Sequence, residues 1–275
     1  MTFPVSERVV YDRHTLNQVI FQLRFPTILA IGAEPPTAFQ ERVRADYPVY
    51  QRQEMPRLLP PIADFLSSLP VRPSGSIAHQ FSTSDEKRSI TLAPEFLAIT
   101  ESDYDEWPVL RPQIEAAQRT LEEVYAPAFY SRVGLRYQDV IDRDDTGVPN
   151  RDWRELLNEP FTGLLGTSET AVREGVTDYV ATALVRLDSV HDGMVRIQYG
   201  LARKSDNPLA PPPPDAPPVF LIDADYYTEA RHEGGAVLGT LDNFRTEAGN
   251  LFRWAISPTL RDALGRRHVE HGVVT

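Results

Sequence analysis

The sequence predicts an α+β fold: two degenerate β-α-β-β-β-α repeats, residues 1–128 and 129–275, joined as one curved antiparallel sheet with the long helices packed on one face. Three observations carry this reading. Stretches that alternate apolar and polar residues recur along the chain, as half-buried strands require. Two longer stretches place apolar residues every three or four positions and stop at proline, as amphipathic helices do. Short motifs also return in order: Leu23-Arg24-Phe25 as Leu135-Arg136-Tyr137, Phe96-Leu97 as Phe220-Leu221, and the end of the first long helix, Leu121 to Pro127, as Leu251 to Pro258. The offsets grow along the chain, as loop insertions in the second half would require.

In order, Leu16 to Phe25 alternates and ends at Pro26, and Thr37 to Asp46 carries Phe39 and Val43 four apart as a short helix closed near Pro48. Met55 to Ser76 holds five prolines and reads as a loop. Ile77 to Thr83, Arg88 to Ala93 and Phe96 to Thr100 read as strands, with Asp85-Glu86 turning the first hairpin. Trp107-Pro108 opens a helix to Tyr125, with Ile114, Ala117, Leu121 and Val124 as its apolar stripe. The second half repeats the pattern. Ser131 to Ile141 alternates, Trp153 to Asn158 is a short helix, and Val176 to Leu187, Met194 to Arg203 and Val219 to Tyr227 are strands before a helix from Leu241 to Ile256. His191-Asp192-Gly193 is a tight turn in which glycine supplies the positive φ. Asp206 to Pro218, with seven prolines, is a stiff loop between strands.

The chain has 275 residues and no cysteine, which removes disulfides, thiolate nucleophiles and cysteine metal sites. With no basic start leading into an apolar run, and no apolar stretch of spanning length, a cytoplasmic protein without membrane contact is expected. A net charge of −11 with dispersed cations disfavours non-specific nucleic-acid binding.

Alternation directs Leu23, Phe25, Leu135, Tyr137, Val185, Ile197, Phe220 and Ile222 inward. Arg24, Arg136, Arg186, Arg196, Gln198, Asp223 and Asp225 then share the outer face. Two readings follow. Arg24 and Arg136, related by the repeat, grip an acidic partner or anion with Arg186 and Arg196 beside them, or these arginines pair across strands with Asp223 and Asp225. Asp223-Ala224-Asp225 also sets two carboxylates on one face, as a divalent-metal site for phosphoryl transfer needs, although no phosphate-gripping glycine loop or lysine accompanies it. Asp142-Arg143-Asp144-Asp145 reads as an exposed turn. His14, His79, His191, His232, His268 and His271 form no metal-protease motif, no nucleophile elbow is present, and His268 and His271 belong to a frayed tail. Trp107, Trp153 and Trp254 are expected in helix–sheet contacts.

At Gln22-Leu23-Arg24-Phe25-Pro26, Gly134-Leu135-Arg136-Tyr137 and Phe220 to Asp225, the chain resembles a sporadically distributed family of uncharacterised bacterial proteins of about this length. Gln138-Asp139 stands where that family carries Ile-Asn. The resemblance implies no activity and no catalytic residue; its patchy distribution implies an accessory, defence or toxin–antitoxin setting. The functional expectation is a non-catalytic protein-binding or adaptor module without a cofactor. It engages a protein partner through the arginine face or through Leu58, Leu59, Ile62 and Phe65. The competing expectation is a metal-dependent enzyme acting on a nucleotide or phosphoester through Asp223 and Asp225.

Overall fold

The structure is a computed structural model that describes residues 1–7, 9–54, 77–203, 213 and 216–268. Its strands are β1 (Val9–Tyr11), β2 (Leu16–Arg24), β3 (Val49–Glu54), β4 (Ile77–Ser82), β5 (Arg88–Ala93), β6 (Phe96–Glu101), β7 (Arg132–Ile141), β8 (Tyr179–Leu187), β9 (Gly193–Arg203), β10 (Pro218–Thr228) and β11 (Arg266–His268). Nine of them form one antiparallel sheet in the order β3-β4-β5-β6-β2-β7-β10-β9-β8. The seam between the halves is the pairing of β2 with β7. Outward from it, both halves run alike: the first strand of the half, then its last, then the earlier ones in reverse. The first half departs from a three-strand unit, because Val49 to Glu54 adds β3 at the edge. The chain ends also meet, β1 pairing with β11, so His268 lies in a strand opposite Val9. Leu58, Leu59, Ile62 and Phe65, His271 and most of the proline tract lie outside the described residues.

One alternate set of strand residues is apolar and faces helices. The long helix Trp107–Tyr125, named α3 after the short α1 (Leu29–Ala33) and α2 (Thr37–Val43), buries Leu110, Ile114, Ala117 and Leu121 and packs on β6. Pro108 sits in its first turn, where a missing N–H costs nothing, and Ala126 closes it in the left-handed region at φ 46° before Pro127. The segment after β7 forms α4 (Trp153–Leu156), α5 (Glu159–Thr162) and α6 (Thr170–Gly175), and the second long helix is α7 (Val237–Ala255), followed by α8 (Pro258–Ala263). α7 buries Leu241, Phe244, Ala248 and Leu251, packs on β7 and β10 and meets α3. The Trp107 indole N–H donates to Asp242 of α7 at 2.7 Å, tying the two helices together. Three of the shorter helices each bring one aromatic ring: Phe39 to Phe81 of β4, Trp153 to Phe220 of β10 and Phe161 to Tyr199 of β9. Trp254 packs on Phe3 and Phe161. No helix among the described residues is long and apolar enough to cross a membrane.

Two local expectations change. Phe96 pairs with Arg24 and so faces outward, in a small cluster with Ala78, Ala93 and Ala98, whereas Phe220 faces inward; the Phe-Leu echo therefore joins residues on opposite sheet faces. In the β8–β9 turn the positive φ falls on Asp192, at 51°, while Gly193 serves close approach, since a Cβ there would stand 2.8 Å from Val190 Cβ.

Gly200 of β9 is the tightest point of the sheet. Its φ is +154°, and a Cβ would lie 1.8 Å from the Tyr179 carbonyl oxygen of β8, a backbone atom that cannot swing aside. Gly200→Ala is expected to destabilise the chain by roughly 1–3 kcal/mol, as strain at a glycine-only conformation does, and to loosen β8 first. Urea unfolding combined with amide exchange along β8 measures both.

Candidate functional site

Strand alternation sends Arg132, Gly134, Arg136 and Gln138 of β7 to the outer face, next to Asp223, Asp225 and Tyr227 of β10. Asp225 stands opposite Arg136, yet each arginine reaches diagonally to a carboxylate. Arg136 forks onto Asp223, with Nε donating to Oδ1 at 2.6 Å and Nη2 to Oδ2. Arg132 passes over Gly134 and grips both oxygens of Asp225 at 3.0 and 2.8 Å. Only glycine leaves that path open, because a Cβ at 134 would lie 2.3 Å from Arg132 Nη1. Gln22 accepts from Arg132 Nη1 at 3.0 Å, Gln138 donates to Asp223 at 3.1 Å, and the Arg132 guanidinium lies 4.8 Å above the Tyr227 ring. All four charged residues are at most 6% exposed.

Two forked pairs so deeply buried satisfy one another. Burial disfavours the Arg136 charge, but the bond to Asp223 together with the charges of Asp223 and Asp225 outweighs it and raises the pKa. Burial raises Asp225, with Arg132 pulling the other way. The face therefore does not gather its predicted arginines into one grip. Arg24 lies half-buried at the end of β2, opposite Arg132, while Ile20 is the residue opposite Arg136. Arg196 is half-buried beside Asp225, and Arg186 is exposed on β8. Asp223 and Asp225 share a face as their spacing predicts, but each is held by a guanidinium. Among the described residues no group of three or more His, Cys, Asp or Glu is placed to hold a metal ion. Arg132, Gln22 and Gly134 escape a reading centred on the Leu-Arg-Phe echo; the signal for Arg132 is its place four residues before Arg136 on the same strand face.

Beneath the inner face lies a cavity of about 330 Å³ between the N-terminal arm, β7 and α7. The arm is clasped by Glu247 of α7, fully buried, whose carboxylate accepts from the amides of Thr2 at 2.9 Å and Phe3 at 3.4 Å and from Ser189 Oγ at 2.8 Å. Asp139 lines the cavity and accepts from Thr15 Oγ1 at 2.7 Å. Burial pushes its carboxyl up to about 7 despite that bond. Asn250 lies in the same wall, its Oδ1 accepting from Arg253 Nη2 at 3.0 Å and its Nδ2 without a partner. These residues had a sequence signal too. Asp139 interrupts the inward series Leu135, Tyr137, Ile141, and Glu247 and Asn250 interrupt the apolar stripe of α7.

Compared with known proteins, the chain matches no family model and no curated protein.

Removing one member of a buried pair strands the other charge. Asp223→Ala is expected to cost about 3–5 kcal/mol in urea unfolding, whereas Arg136→Met combined with Asp223→Leu recovers most of that loss. Asp139 gives a pH signature of the opposite sense to a salt-bridged carboxylate. Between its ordinary value of 3.8 and about 7 the native state keeps a proton that the unfolded chain has released, so stability falls as pH rises through that window. Asp139→Asn is expected to be neutral near pH 4 and to stabilise by about 2–4 kcal/mol above pH 7, read from urea midpoints across the range.

Proposed function

We propose that this chain is a non-catalytic protein-binding module that docks by strand addition at β8, and that the partner its sequence fits is a second copy of itself. The observation that carries this is the self-complementary pattern of the β8 edge. Among the described residues no strand pairs with its outer side. Nine residues long, without proline, lysine or glycine, it carries only the charge of Arg186 among the devices that natural edge strands use against pairing. Its outward side chains are exposed, Val180 by 55% and Leu184 by 57%.

An antiparallel pairing of two β8 strands centred on Thr182 sets Leu184 against Val180 and Arg186 against Asp178, each pair formed twice across the two-fold axis. On the inner face the same register sets Ala181 against Ala183 and Tyr179 against Val185. The neighbouring same-face registers bring Asp178 against Asp188 or against Leu184. Arg186 makes no ion pair among the described residues, so its charge is available. The reading also treats the two halves as degenerate copies whose long helices share one sheet face, supported by the matching strand order outward from the seam. The metal-dependent reading of Asp223 and Asp225 has their arginine bonds against it.

A single strand pair is a small interface, so the dimer is expected to dissociate in the micromolar range, on the order of 10–100 µM. Sedimentation velocity over that range is expected to show monomer and dimer in exchange. Arg186→Asp and Asp178→Arg should each weaken dimerisation about tenfold, since two attractive pairs become repulsive. Mixing the two variants should restore it, because both cross-pairs are then opposite in charge. A chain that stays monomeric throughout, or a mixture that gains nothing over either variant, overturns the proposal.

A further inference from the structure

The cavity under the N-terminal arm has a chemical preference of its own, independent of β8. We infer that it binds a small organic monocarboxylate, the apolar body lying against Val9, Trp107 and Phe252 and the carboxylate meeting Arg245 and the Asn250 amide, all of which line it. Its volume of about 330 Å³ suits a ligand of that size, and ligand pockets are characteristically apolar with a few converging polar groups.

Two observations select an anion. Asn250 is 2% exposed, and Arg253 fixes its amide by bonding Oδ1, leaving Nδ2 as a buried donor with no acceptor. An unmet donor is costly at such a site and is satisfied by an incoming oxygen. The second observation is cationic excess on the α7 wall. Arg245 is half-buried and makes no ion pair or hydrogen bond among the described residues. Burial lowers the Arg253 pKa, Tyr11 raises it, and the charges of Arg245 and Arg261 lower it further. The acids nearby do not neutralise this excess. Glu247 is bound by the arm amides and Ser189, and Asp139 is bound by Thr15 and holds its proton to near neutrality. Asp105 stands exposed and Glu106 half-buried at the rim, and neither forms an ion pair with Arg245 among the described residues. Gly249, between Arg245 and Arg253 on the helix, carries no side chain to block approach.

The test is calorimetric titration of the full chain with octanoate and, as a neutral isostere, octanol. Octanoate is expected to bind at least about tenfold more tightly, as a charge-assisted contact implies. Arg245→Gln should bring octanoate down to the octanol affinity while leaving octanol unchanged, and Asn250→Leu should weaken octanoate in the same sense. Arg245 is only half-buried, so its variant remains informative even where Asn250→Leu unfolds, which urea midpoints reveal. Equal affinity for the two probes, octanoate binding unaffected by Arg245→Gln, or no binding of either probe would overturn the inference.

Discussion

The structure turns on two guanidinium–carboxylate forks buried between β7 and β10. Arg136 with Asp223 and Arg132 with Asp225 stand in the middle of a nine-stranded sheet, and Gln22 brings β2 into the same network. Charges removed from water are tolerated only when paired with good geometry. The network therefore contributes specificity more than net stability. A one-residue slip of β10 against β7 would send both aspartates to the helix face and leave both arginines buried without partners. The seam of the two halves and the pairing beside it are thereby locked into one register, and the flanking strands build outward from it.

From that centre the outer face changes character towards β8. The charged groups at β7 and β10 are shielded and mutually bonded; those of β9 are half-buried; those of β8 are exposed beside exposed Val180 and Leu184. The gradient separates two roles that alternation alone assigns to one surface. Arginines at the centre hold the sheet together, and the one at the margin, Arg186, stands exposed to solvent. The opposite face shows a similar division. Most of it is an apolar helix–sheet core, but where α7 passes the N-terminal arm, Asp139, Asn250 and Arg245 replace apolar residues and a cavity opens.

Most of the architecture was legible because strand alternation and helical spacing are local signals. The first long helix runs from Trp107 to Tyr125 as its proline start and apolar stripe indicate, and the alternating stretches became β2, β4, β5, β6, β7, β8, β9 and β10 with small shifts at their ends. What failed depends on distant partners. Val49 to Glu54 has a weak pattern by itself and becomes a strand by pairing with β4; residues 9–11 do so by meeting 266–268. The Phe-Leu echo misled because two letters carry no information about which face a residue takes. The candidate site was legible as a face but not as a set of bonds: that Arg136 would take Asp223 rather than Asp225, directly opposite it, depends on side-chain reach across the pleat.

Gly134 shows where this architecture is brittle. It has no unusual backbone angle to justify it; its lack of a side chain serves the neighbour's guanidinium that lies across it. Positions 132, 134 and 225 are therefore physically coupled. A larger residue at 134 displaces the arginine, a displaced arginine abandons its aspartate, and a lone aspartate at 225 has no reason to persist. Lineages of this fold would be expected to keep the trio whole or to exchange it whole for an apolar patch, while single replacements survive readily at the exposed margin a few strands away.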